Sequence, residues 1–119
     1  MQKESSSSVR FFYPRFDKEE LIKKINKSLK EIAKELPIVL VTLFGSYARG
    51  NYTVASDVDI LIILRDKEKE KKNTFAKLKK HLDIPSVELH IYSEDEYRKH
   101  KESIDRLTAG GIVLFSENK

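Results

Sequence analysis

Cysteine and tryptophan are absent from this chain, and methionine, glutamine, proline and glycine are scarce, with one, one, three and four residues respectively. Without cysteine there is no disulfide framework, no thiolate metal site and no cysteine nucleophile, and nothing calls for an oxidising compartment, so a cytoplasmic setting is expected. Long apolar runs are missing too. The longest, PIVLVTLF and VDILIIL, have eight and seven residues, far short of the roughly 20 that cross a bilayer. The opening MQKESSSSVR has no apolar signal core, so a soluble, unexported protein is expected. Charge of one sign is nearly balanced: 23 Lys and Arg against 19 Asp and Glu leave +4. A mild basic surplus suits nucleotides. The basic and acidic run RDKEKEKK at 65–72 has no interleaved aromatics and no reader motif beside it, which ranks nucleic acid last among partners and makes a solvated loop the reading of that run. The 35% charged content, with few Cys, Met and Gln, resembles the tilt of heat-adapted proteins.

What is present suffices for one core. A chain of 119 residues, 39% of them hydrophobic, buries about two-thirds of its unfolded surface on folding. Residues 1–10, with four serines in a row, are expected to form a disordered tail, and residues 11–119 a single domain. Asp17 and Glu20 form a capping box, with Phe16 and Leu21 at the staple positions. The spacing of Leu21, Ile25, Leu29, Ile32 and Leu36 predicts a helix ended by Pro37. Ile38 to Phe44 reads as a buried strand that breaks at Gly45-Ser46, followed by a turn and a short helix; Val58 to Leu64 reads as a second strand. Phe75, Leu78 and Leu82 mark a helix ended near Pro85. Val87, Leu89 and Ile91 alternate with Glu88, His90 and Tyr92, which predicts a strand with one polar face. Ser93 and Glu96 form another capping box, opening a helix through about Leu107 with a stripe of Tyr97, Ile104 and Leu107; Gly110-Gly111 and the strand Ile112 to Phe115 follow. The order is α-β-α-β-α-β-α-β.

The chemistry concentrates in LFGSYARGNYTVASDVDILI, residues 43–62. At a strand-to-helix junction Gly45 allows close approach of a ligand to the backbone, while amides and the Ser46 hydroxyl offer donors to a phosphate. Asp57 and Asp59, two apart at a strand start, leave the same face roughly 7 Å apart along the backbone. Glu88, on the polar face of the next strand, closes a triad of acids if the strands are neighbours. Two carboxylates about 5 Å apart repel by about 3 kcal/mol at an effective dielectric near 20, so the cluster needs a cation. Oxygen ligands favour Mg2+ completed by a nucleoside triphosphate, and two ions roughly 4 Å apart would clamp an in-line displacement. The Walker lysine spacing and the GxGxxG of dinucleotide folds are both absent.

These residues resemble the minimal nucleotidyltransferase (MNT) domains of the DNA polymerase β-like superfamily, whose motif is GSxARGxxxxxSDxDL. Gly45, Ser46, Ala48, Arg49, Gly50, Ser56, Asp57 and Asp59 match it, and Ile60 replaces the usual leucine. The likeness runs over nearly all of residues 17–119. It implies an α+β fold with a mixed central sheet of about four strands flanked by helices, and transfer of a nucleotidyl group, AMP above all, from ATP or another NTP with Mg2+. Gly45, Ser46 and Arg49 would hold the triphosphate; Asp57, Asp59 and Glu88 would be the catalytic and metal-binding acids. The family's third acid is usually an aspartate, where VELHIY offers Glu88. Stand-alone proteins of this kind resemble antitoxins that pair with a small helical HEPN ribonuclease and silence it by attaching AMP to a tyrosine, so a HEPN-type partner is the implied acceptor. The rival reading is a partner-binding antitoxin module whose nucleotide pocket is regulatory or residual.

Other residues carry plainer readings. Arg49 reaches either a phosphate or a structural ion pair, Ser56 braces the Asp57 turn, and Tyr47 and Tyr52 serve packing and rim. His90 shares the face of Glu88 and stands between pocket lining and a satisfied strand histidine. His81 and His100 read as surface. Phe11, Phe12, Tyr13 and Phe16 cover the core or form a partner patch. Self-association is left open.

Overall fold

The computed structural model describes residues 17–53, 56–65, 71–84 and 86–117. The tail expected over residues 1–10, the aromatic set Phe11, Phe12, Tyr13 and Phe16, Pro85 and most of the charge run lie outside the described residues. Helix α1, Lys18–Glu35, begins where the capping box demands: the Glu20 amide donates to Asp17 Oδ1 at 2.8 Å and the Asp17 amide to Glu20 Oε1 at 3.4 Å. It ends because Leu36 precedes proline and is held extended, at φ −125° and ψ 144°. Its stripe of Leu21, Ile25, Leu29 and Ile32 is buried, and at about 1.5–3 kcal/mol for each side chain this face outweighs any intrinsic helix propensity.

Strands β1 (Ile38–Phe44), β2 (Val58–Leu64), β3 (Val87–Ser93) and β4 (Ile112–Ser116) form one mixed sheet in the order β3-β2-β1-β4. β1 runs antiparallel to both β2 and β4, whereas β2 and β3 are parallel. A parallel pair needs a crossover, supplied by α3, Lys71–Leu82. α1 and α3 cover one face, where Ile25, Ile32, Leu78 and Leu82 meet Val41, Leu43, Ile60 and Ile62. Ser28 Oγ donates to the His81 carbonyl at 3.0 Å, fastening the two helices. The other face, with Phe44, Leu61 and Ile63, is covered more thinly by Ile104 and Tyr97. The expected α+β architecture with a four-stranded mixed sheet is therefore what forms. Among the described residues no helix is long and apolar enough to cross a membrane.

Three details differ from the sequence reading. The helix opened by Ser93 does not run through to Leu107: it breaks at His100 (φ −118°, ψ 29°) into α4, Glu94–Lys99, and α5, Lys101–Leu107. The break turns the chain so that Ile104 is buried, while Leu107 stays 46% exposed. In α3 Thr74 is buried along with Leu78 and Leu82, whereas Phe75 is 43% exposed, with Lys79 Nζ 5.9 Å from its ring centre.

Candidate functional site

The last residue of β1 and the first residues of β2 and β3 share one rim of the sheet. In register Phe44 faces Asp59 across the antiparallel pair, and Asp59 faces Glu88 across the parallel one. Side chains alternate along strands, so Asp59, Glu88 and His90 project to the thinly covered face, alongside Leu61, Ile63 and Tyr92. One ligating atom from each of Asp59, Glu88 and His90 lies within 4.8 Å of the others. Sequence spacing places Asp57 beside Asp59. In the structure Asp57 precedes β2, is exposed, and acts on Asp59 through its charge from outside that trio.

The turn between β1 and helix α2, Ser46–Arg49, is built against the acids. Gly45 sits at φ 82° and ψ −155°, a region open essentially to glycine, and a Cβ there would stand 2.4 Å from Asp59 Oδ2. Its backbone thus lies directly on the Asp59 carboxylate, a closeness no side chain permits. α2 is closed by Gly50, whose amide donates to the Ser46 carbonyl at 2.9 Å. Arg49 is exposed in its last turn. The turn is anchored from α1: Lys18 Nζ donates to the Ala48 carbonyl at 3.1 Å and the Lys18 amide to the Tyr52 hydroxyl at 3.0 Å. Tyr52 in turn stacks on buried Tyr47, centroids 4.3 Å apart. Burial pushes the Tyr47 hydroxyl pKa up, and the neighbouring Tyr52 adds to it. Both tyrosines are scaffold, and Lys18, which no motif singled out, is the link from α1. Ser56 braces the approach to Asp57 by accepting the Thr53 amide at 2.8 Å.

Electrostatically the site sets like charges side by side. Burial raises the Asp59 pKa above the usual carboxylate range. A hydrogen bond with Glu88 and repulsion by it raise it further; His90 opposes, and Asp57 adds a last increment. His90 Nε2 stands 3.8 Å from Asp59 Oδ1. It is shielded from solvent and has no hydrogen-bond partner among the described residues, while the ring is held edge-on to Phe44 at 5.1 Å. The residues present fit a divalent cation: two carboxylates that repel one another, an imidazole nitrogen without a partner, and a glycine cradle that leaves one carboxylate face open.

The model of one family, described as a nucleotidyltransferase domain, matches residues 22–110. A Methanocaldococcus jannaschii protein named as a protein adenylyltransferase is 46% identical over 56 residues, which cover 44% of this chain and 56% of that relative. The chain thus spans about half the length of the curated relatives it matches. Among solved structures, a Sulfolobus solfataricus protein described as a nucleotidyltransferase aligns with a TM-score of 0.62 at 20% identity, covering 87% of this chain and 86% of that one. A chain in the crystal structure of a toxin–antitoxin with AMP-PNP aligns with a TM-score of 0.56 at 25% identity, covering 82% and 74%. A chain in the structure of a tri-AMPylated Shewanella oneidensis HEPN toxin in complex with an MNT antitoxin reaches 0.51 at 22% identity, covering 83% and 72%. At 20% and 22% identity the first and third bear on the fold alone.

Proposed function

The chain belongs to the nucleotidyltransferase domain family, and from that premise we propose that it transfers AMP from ATP to a hydroxyl of a partner protein. The observation that carries this reading is that Asp59, which lies against the Gly45 backbone, meets Glu88 on the neighbouring strand. Asp59 and Glu88, with Asp57 at the rim, would hold Mg2+; bound there, it neutralises triphosphate charge and favours in-line displacement at the α-phosphorus. The chain's own groups do the rest. The bare Gly45 backbone lets the triphosphate come close, and the Ser46 hydroxyl and the exposed Arg49 guanidinium meet its oxygens. The acceptor oxygen bonds to the α-phosphorus as the bond to pyrophosphate breaks, and Glu88, an exposed carboxylate beside Asp59, takes the acceptor's proton.

A small helical ribonuclease of the HEPN kind, paired with this chain as its antitoxin, is the acceptor we favour. Support comes from the relative named as a protein adenylyltransferase and from the toxin–antitoxin likeness at 25% identity. The rival, a partner-binding module with a residual nucleotide pocket, loses ground because Glu88 reaches Asp59 despite its longer side chain. The test is incubation with radiolabelled ATP, Mg2+ and the protein encoded beside it. Label should move to a tyrosine of that protein, and an Asp57→Asn, Asp59→Asn double variant should abolish the transfer. Undiminished transfer by the double variant, or partner binding with no transfer at all, overturns the catalytic reading.

A further inference from the structure

We propose that His90 is a metal-ligating residue that biases this centre toward first-row transition cations, Mn2+ and Co2+, over Mg2+. The inference rests on the nucleotidyl-transfer reading and concerns which cation that site selects. One ring nitrogen of His90 and one oxygen each from Asp59 and Glu88 all lie within 4.8 Å of one another, a donor set of two oxygens and one nitrogen. The 3.8 Å separation of His90 Nε2 from Asp59 Oδ1 is beyond a hydrogen bond. Two donors each about 2.1 Å from one ion stand about 3.0 Å apart at a right angle and about 4.2 Å apart in line, so the 3.8 Å between His90 and Asp59 is a spacing that a single cation bridges.

Two further facts separate His90 from a histidine that merely fills space. Its Nε2 is shut off from water and has no hydrogen-bond partner among the described residues, a condition that folded interiors avoid unless a ligand completes the group. Phe44 packs edge-on against the ring, which aims the nitrogen at Asp59 and leaves it little freedom to find another partner. Mg2+ is a hard ion held by oxygen donors, whereas affinity for a site that includes nitrogen rises along the first-row series from Mn2+ to Co2+. An all-acid site would discriminate weakly; an imidazole set among the acids tilts the choice.

The test uses the full chain and a non-hydrolysable ATP analogue, with Mg2+, Mn2+ and Co2+ titrated separately by calorimetry. His90→Phe keeps a ring against Phe44 and removes the nitrogen; His90→Gln is the second variant, and thermal melts establish that each is folded. The Mn2+-to-Mg2+ affinity ratio of the wild type should fall by about tenfold or more in both variants. Pulsed electron paramagnetic resonance on the Mn2+ complex should show coupling to an imidazole nitrogen in the wild type and none in either variant. An unchanged ratio, or no nitrogen coupling in the wild type, means that His90 only pairs with Asp59 and overturns the proposal. If Mg2+ and analogue bind normally in that case, the proposed function survives. If the wild type binds neither cation nor analogue, both fall together.

Discussion

Replacing Gly45 by alanine isolates the contact between the β1–α2 turn and Asp59, provided that Gly50 is replaced in parallel. Both glycines have positive φ, 82° and 86°. Gly50 is in the left-handed helical region at ψ 4°, and nothing lies within 4 Å of the place an added Cβ would take, so Gly50→Ala costs only backbone strain of about 1–2 kcal/mol. At about 4–8 °C per kcal/mol for a domain of about 100 residues, Tm should drop by roughly 4–16 °C. Gly45→Ala meets two penalties. Its ψ of −155° lies in a region that costs a non-glycine about 1–3 kcal/mol. The new Cβ also falls 2.4 Å from Asp59 Oδ2, about 1 Å inside ordinary contact, so the carboxylate must swing away. Misplacing a catalytic group by about 1 Å costs on the order of a hundredfold in rate. The assay is AMP transfer together with ATP-analogue binding, at a temperature where melts show both variants folded. Gly50→Ala should keep nearly normal activity per folded molecule, whereas Gly45→Ala should lose about a hundredfold. Equal losses in the two variants, or full activity in Gly45→Ala, would refute the role assigned to this contact.

Asp59→Asn should stabilise the metal-free protein even as it abolishes transfer. The folded pKa of Asp59 is raised, so its contribution to stability is present below the unfolded carboxylate value and is lost as pH rises through the folded one. At neutral pH the ionised side chain therefore weakens the apo fold by about 1 kcal/mol once the exposure of Glu88 is allowed for, and the variant should melt a few degrees higher at pH 7 but level with wild type near pH 4. Added Mg2+ or Mn2+ should raise the wild-type Tm and leave the variant unmoved. Asp57→Asn, exposed and outside the Asp59–Glu88–His90 cluster, should slow transfer less than Asp59→Asn; a reversed order in initial rates would move the centre toward the rim. Tyr52→Phe removes the acceptor of the Lys18 amide and should cost about 1 kcal/mol in a denaturant melt, with analogue affinity close to wild type.

Much of this architecture was legible because its signals are local. Both capping boxes, Asp17 with Glu20 and Ser93 with Glu96, close within three residues, and the alternation from Val87 to Tyr92 announced a strand with Glu88 and His90 on one side. What escaped depends on contacts between distant segments. Nothing near His100 marks a helix break; it is the packing of Ile104 against Phe44, Leu61 and Ile63 that bends the chain there. Apolar side-chain type suggested Phe75 as core, yet the phase of α3 buries Thr74 instead, and the Phe75 ring lies beside Lys79. At the site, Asp57 was the visible neighbour of Asp59 because they are two residues apart. Glu88 was legible as a third acid only on condition that the two strands are neighbours, and the parallel register of β2 and β3 meets that condition and brings His90 along.

That parallel register has a temporal consequence. Asp59 and Glu88 lie on either side of a crossover of more than twenty residues and become neighbours only when β2 and β3 have paired. Non-local pairing of this kind is slow to form, since the loop between the strands must close before any contact rewards it. A chain still emerging from the ribosome, with residues 17–64 already structured, carries the glycine turn and two acids but lacks their third companion. The acids of the proposed site are in this way brought together only once β3 has joined the sheet.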